Sequence, residues 1–186
     1  MKPFIVILFS TILSLVANAQ TGIYDTYEDF KKDNMRVMKD VARANYAMGK
    51  YTIVFEDNDG KDVKVKAKNI WGFKYNGHLF RTDHVGNIAM VVVQDDFVYY
   101  ENGGAHLQML RTKKNEGDFT SGYGCYLSKD LGSGMTPLPG ATISDARKMY
   151  KNFKEDNPQY EELYECIGKR TNYEHVRKCV EQYVSK

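Results

Sequence analysis

Cysteine, tryptophan, histidine and proline are all scarce in this chain, and neither sign of charge dominates. Its 186 residues hold 3 Cys, 1 Trp, 4 His and 4 Pro, with 26 basic side chains against 24 acidic ones. Each shortage excludes something. There is no Cys-x-x-Cys, no His-x-His and no His-Glu-x-x-His, the spacings that bring two ligands to one zinc ion. His78 and His84 share a strand parity, but six extended residues at ~3.3 Å each put them ~20 Å apart, and His106 and His175 fall in other elements. No metal and no other cofactor is therefore expected. The near-neutral balance gives no overall field to hold nucleic acid or anionic lipid. Gly132 and Gly134 lead to Pro137 rather than to a Gly-Lys-Ser/Thr helix start, which removes a phosphate loop.

Long apolar runs are also missing, apart from one at the start. Lys2 precedes a mostly apolar stretch from Phe4 to Val16, and Ala17-Asn18-Ala19 places small residues where a signal peptidase reads them. The run is short of the roughly 20 residues that span a bilayer. Residues 1–19 are thus expected to be a cleaved signal peptide, with Gln20 as the new N-terminus and no transmembrane segment afterwards. No cysteine follows the cleavage site to take a lipid. The expected location is extracytoplasmic, periplasmic or secreted. Without Lys2 the balance is 25 basic against 24 acidic side chains. The remaining chain of about 167 residues suits a single domain that buries roughly 70% of its extended surface.

What is present is a change of period. Gly22 to Lys32 reads as a short helical turn capped by Asp25 or Thr26, with Tyr27 and Phe30 facing inward. Over residues 34–49, Val37, Met38, Val41, Asn45 and Met48 fit a helical stripe, and Gly49 and the polar interruptions also allow a loop. From Lys50 the period is two: Tyr51, Ile53 and Phe55 alternate with Thr52, Val54 and Glu56. Asp57-Asn58-Asp59-Gly60 forms a hairpin turn, after which Val63, Val65 and Ala67 alternate with Lys64, Lys66 and Lys68. That lysine row reads as a solvated face or a protected sheet edge. Asn76-Gly77 favours a two-residue turn with positive φ at both positions. Its register pairs Tyr75 with His78, Phe73 with Phe80 and Trp71 with Thr82, all on one face.

Further on, Ile88–Val93 and Phe97–Glu101 read as strands joined at Gln94–Asp96. Leu107, Met109 and Arg111 alternate as in another strand, Asn115–Gly122 as a loop, and Tyr123–Ser128 as the last strand. The tail is helical. Ser144 heads a stripe of Ala146, Met149, Tyr150 and Phe153, and Asn157-Pro158 restarts the chain into Leu163, Tyr164 and Ile167, closed by Gly168. Thr171 and Glu174 have capping-box spacing ahead of Tyr173, Val176, Val180 and Tyr183. Strands followed by helices predict an α+β fold: an antiparallel meander or partly closed barrel over about 50–128, with C-terminal helices over about 144–184.

Candidate chemistry is thin. Asp57–Asp62 lacks the glycine and glutamate of a calcium loop, since Asp62 and Lys68 stand at those positions. Cys125 with His106 is the one nucleophile and base pair worth naming. Cys125 sits in Gly-Tyr-Gly-Cys-Tyr, with no flanking base or helix start to lower its pKa. Three cysteines outside the cytoplasm imply one disulfide and one thiol, or three thiols. Cys166 and Cys179 flank the Gly168 turn and are the natural pair. A straight antiparallel helix pair offsets them by about 9 Å, whereas bridging needs Cα atoms within ~7 Å.

Lys50–Thr82 (KYTIVFEDNDGKDVKVKAKNIWGFKYNGHLFRT), Tyr126–Asp130 (YLSKD), Asn157–Leu163 (NPQYEEL) and the Gly-Ile-Tyr…Tyr-Glu-Asp-Phe start carry a family likeness. Together they resemble a group of uncharacterised secreted proteins from Bacteroidetes-type bacteria. The resemblance covers most of the chain after the leader. It implies an exported bacterial protein and transfers no functional residue.

The expected function is an exported, non-catalytic module that binds a protein, glycan or envelope component. The 14 tyrosines suit recognition as well as sheet cores. The aromatic ladder is either core or a ligand-stacking platform; as a platform it would consist of Trp71, Phe73, Tyr75 and Phe80. The alternative is a secreted hydrolase using Cys125 and His106.

Overall fold

Asn76 and Gly77 both adopt left-handed backbone, at φ 49° and 80°. The turn they make sets Tyr75 opposite His78 and Phe73 opposite Phe80, and the Thr82 amide donates to the Trp71 carbonyl. Asparagine and glycine are the residues that reach this conformation most cheaply, so the pairing follows from two side chains. The computed structural model describes residues 20–112, 124–140, 145–169 and 172–186. The expected signal peptide, the Asn115–Gly122 loop and the caps at Ser144 and Thr171 lie outside the described residues. The chain divides into two compact units at Asn87/Ile88.

The first unit contains β1 (Thr21–Tyr24), α1 (Tyr27–Lys31), β2 (Arg36–Met38), β3 (Asp40–Ala47), β4 (Lys50–Glu56), β5 (Asp62–Lys66), β6 (Gly72–Tyr75) and β7 (His78–Thr82). Strands β2, β1, β6 and β7 are neighbours in that order, and β3, β4 and β5 form a second sheet. The four residues of β1 are all buried, so they show no alternation and read poorly as a strand. Thr26 caps α1, taking the Asp29 amide while the Asp29 carboxylate returns to the Thr26 amide.

Residues 34–49 hold no helix: most of them form β2 and β3, and Met48-Gly49 is the turn that follows. The β3–β4 register slips between Val41 and Arg43, a bulge that breaks the period-two pattern where it would have shown. The core is aromatic. Phe73 stacks on Phe80 with centroids 4.8 Å apart, and Phe55 of β4 meets the Phe73 ring edge-on at 5.6 Å. Lys64 and Lys66 are exposed on β5, an edge strand of its sheet.

The second unit contains β8 (Ile88–Gln94), β9 (Val98–Asn102), α2 (Gly103–Thr112), β10 (Cys125–Ser128), β11 (Thr136–Pro137), α3 (Ala146–Asp156), α4 (Glu161–Ile167) and α5 (Tyr173–Val184). Strands β8 to β11 pair antiparallel in chain order. The segment with Leu107, Met109 and Arg111 is helix α2, not a strand. The Asn102 side chain accepts from the Gly104 and Ala105 amides and starts the helix there. Asn157 and Pro158 separate α3 from α4 through a 3₁₀ turn, and Gly168 closes α4 at φ 51°. The cap of α5 is Asn172, whose side chain takes the His175 amide. Along α3 the inward stripe is Ala146, Tyr150 and Phe153, whereas Met149 is 41% exposed. Leu127, Leu138, Phe153, Leu163, Val176 and Val180 fill the core between sheet and helices.

The class is therefore α+β, antiparallel strands followed by C-terminal helices. The strand order in each unit is linear, so no sheet closes into a barrel.

Candidate functional site

The period of two puts Tyr99 and Glu101 on the same face of β9, and the register places Cys125 of β10 directly opposite Glu101. Helix α2, starting right after Asn102, carries His106 back over this strand end, and α5 brings Arg177 from the far end of the sequence. The five side chains form one cluster around the Glu101 carboxylate, which is fully buried, with the Arg177 side chain 26% exposed at its outer side. Its Oε1 accepts from Tyr99 Oη at 2.9 Å and from Arg177 Nε at 2.7 Å. Its Oε2 lies 2.7 Å from His106 Nε2 and accepts from Arg177 Nη2. A carboxylate only accepts, so His106 carries its proton on Nε2. Four donors fill the four lone-pair positions of the carboxylate, two of them in a bidentate guanidinium fork.

The electrostatics follow from this count. Burial pushes the Glu101 carboxyl upward, but the Arg177 and His106 hydrogen bonds and charges outweigh it and hold the group down to about 2. Burial drives the Tyr99 phenol far above its ordinary range. It also pushes the Cys125 thiol up to about 12, so Cys125 is a neutral thiol across the physiological range. Tyr99 gives its one proton to Glu101, so the Cys125 thiol, 3.3 Å from the Tyr99 oxygen, is the donor in that contact. Cys125 and His106 thus belong to one cluster, but Tyr99 and Glu101 stand between them in the hydrogen-bond chain. Nucleophilic chemistry needs a thiolate beside a base; here the thiol is protonated, and Tyr99 and Glu101 separate it from the imidazole.

The four aromatic candidates do not make one exposed face. Phe73 and Phe80 are fully buried and Tyr75 is 6% exposed. Trp71 leaves the ladder: its amide turns to the Tyr24 and Asp25 carbonyls. Its ring stacks on Phe30 at 4.4 Å, with Tyr27 at 5.4 Å and the Arg81 guanidinium 4.6 Å from the centroid. Trp71 lies in the bend just ahead of β6, and a Cβ at Gly72, the first residue of that strand, would collide with the Phe80 carbonyl oxygen. Alternation does not survive that bend, so Trp71 joins α1 and the Arg81 side of the hairpin instead of the Phe73 side.

Cys166 and Cys179 form a disulfide with Cα atoms 5.7 Å apart, and Cys125 is the free cysteine. At that distance α4 and α5 do not keep the offset of a straight antiparallel pair. The Asp57 carboxylate accepts from the Asp59 and Lys61 amides at 3.0 and 2.8 Å, which spends it on a turn. Among the described residues no three His, Cys, Asp or Glu side chains converge on a metal-sized site, and no helix is long and apolar enough to cross a membrane. A groove of about 460 Å³ beside α3 and α4 is lined by Lys151, Lys154, Glu155, Glu161 and Glu165, and includes no member of the Glu101 cluster.

One exposed feature escapes the sequence pattern. At the tip of the β3–β4 hairpin, Tyr46 is 62% and Met48 99% exposed, and the Tyr46 and Tyr51 rings lie 4.8 Å apart across the strands. The signal was a Met-Gly pair at a turn, readable only once its two flanks are recognised as strands. The fold and these sites define an α+β protein with a polar cluster around a buried carboxylate in its second unit and an exposed Tyr46 and Met48 at a hairpin tip in its first. No family model, no curated protein and no solved structure matches the chain.

Proposed function

We propose that the chain is an exported, non-catalytic module that binds a component of the cell envelope. The observation that carries this reading is the saturation of Glu101. The cluster with the most chemistry in its residues holds a carboxylate with no acceptor site to spare, a histidine nitrogen committed to it and a protonated thiol. Such a network fixes a core and leaves no group poised to react. The N-terminal leader pattern, the likeness to secreted bacterial proteins and a disulfide compatible with an oxidising compartment support export.

Thiol labelling tests the non-catalytic half. With the Cys166–Cys179 bridge intact, a maleimide at neutral pH is expected to leave Cys125 unmodified until the protein is unfolded. Rapid stoichiometric labelling of the native protein would favour a hydrolase using Cys125 and His106 and overturn this reading. Intact-mass measurement of the exported protein tests the other half, with Gln20 expected as its first residue.

A further inference from the structure

The chain builds two hairpins on the same two-residue turn and fills them differently. In one, Asn76 and Gly77 take φ 49° and 80°; in the other, Met48 and Gly49 take φ 50° and 75°. Asparagine visits the left-handed region routinely, whereas an unbranched apolar side chain there is disfavoured. Met48 is disfavoured a second time by its 99% exposure to water. Neither folding nor solubility selects methionine at this position, and an asparagine would serve both better.

The surroundings say what does. Strand β5 ends opposite Thr52, so Tyr51 and Lys50 extend beyond it as a two-stranded arm with Tyr46 and Ala47. The arm is braced at its root, since the Tyr51 amide donates to the Gly86 carbonyl at 3.0 Å. The loop carrying Gly86 is itself tied down by the Asp83 carboxylate, which accepts from the Val85, Gly86 and Asn87 amides. Val85 of that loop is 45% exposed. Charge is sorted along the sheet. The tip half carries the exposed Lys50 and Lys66, while the opposite end carries Asp40, Glu56, Asp57, Asp59 and Asp62, of which Glu56 pairs with Lys39 and Asp62 with Arg43, leaving three carboxylates against Lys61. The near-neutral composition of the whole chain conceals this separation.

We infer that the β3–β4 hairpin is a membrane-surface anchor, with Met48 in the outer acyl region, Tyr46 and Tyr51 at the headgroup level, and Lys50 and Lys66 on the phosphates of an anionic leaflet. Tyrosine rings favour that interface, and a small apolar apex needs a basic flank to hold an anionic bilayer. The acidic end of the sheet orients the arm by repulsion from the same surface. This inference rests on the envelope-binding reading and names the component as anionic phospholipid.

The test is co-sedimentation of the full processed chain with vesicles of phosphatidylglycerol and phosphatidylethanolamine, against vesicles of phosphatidylcholine alone. Binding is expected only to the anionic vesicles and is expected to weaken with salt. Met48→Asn is expected to lower that affinity about tenfold, from the lost burial of one methionine side chain. The same variant is expected to raise Tm by about 2–4 °C, because asparagine relieves the left-handed turn. Damage to the fold cannot produce that opposite pair of changes. Lys50→Gln with Lys66→Gln is expected to remove most of the salt dependence. Absence of binding to anionic vesicles at low salt, or equal binding by Met48→Asn, overturns the anchor. If the wild type misses vesicles yet captures an envelope protein that Met48→Asn loses, the lipid assignment falls and the binding-module reading stands. If it retains neither vesicles nor any envelope component, both fall.

Discussion

Arg177 of the last helix grips both carboxylate oxygens of Glu101, 76 positions earlier in the chain. Glu101 has no exposed surface, so the guanidinium, the His106 imidazole and the Tyr99 hydroxyl stand in for the solvation that water would have given. The pair is worth little as a net gain, because an apolar pair of similar volume would also fill the space. Removing one member alone is costly.

Arg177→Met is therefore expected to destabilise the protein by about 3–5 kcal/mol, read as a lower urea midpoint at unchanged slope. Adding Glu101→Gln to that variant is expected to recover part of the loss, since the second change removes the stranded charge. Two strictly additive losses would show that the contact carries no coupling energy.

The same carboxylate sets an acid limit. Its pKa falls from an ordinary 4.5 to about 2 in the folded protein. A depressed folded-state value means that the stabilisation is complete above pH 4.5 and disappears as pH falls toward 2. A shift of that size corresponds to about 3 kcal/mol. Urea midpoints measured between pH 6 and pH 2 are expected to drop through that window, with a shallower drop in the Glu101→Gln variant.

The Cys166–Cys179 bridge closes a loop with a sequence separation of 13. Its reduction, or replacement of both residues by serine, is expected to cost about 3 kcal/mol through the freedom regained by the unfolded chain. Thermal melts with and without reductant measure this directly. Equal Tm values would mean that helix packing alone holds α4 against α5.

The sequence was readable where one or two side chains decide the backbone. Asn76-Gly77 dictates a turn, and Asn157, Pro158 and Gly168 punctuate helices through chemistry confined to their own neighbourhood. It was misleading where tertiary structure intervenes. Strand β3 hides its alternation behind the bulge at Val41/Arg43. Leu107, Met109 and Arg111 alternate like a strand, but the Asn102 side chain and two glycines start a helix under them. Gly103 is needed there because a Cβ would strike Ile88 and the Ala89 amide. The Trp71 ring leaves its expected face because Trp71 lies in the bend that precedes β6 rather than in the strand. The Glu101 cluster gave only one local hint, an acidic residue ending the apolar run Phe97–Tyr100. Its other half arrives from α5, and no pattern within a strand can announce a partner so distant. Cys125 and His106 lie in one cluster, but the Tyr99 and Glu101 side chains that separate them come from a strand register no local pattern announces.

The distance between Glu101 and Arg177 also has a consequence for synthesis. Strand β9 is made long before α5, so until Arg177 emerges the growing chain carries a carboxylate that is costly to bury. Early closure of the second unit around an incomplete tail is penalised by that stranded charge. A cut ahead of Arg177 is expected to strand the Glu101 charge in the same way as Arg177→Met and to remove the helical packing of α5 as well.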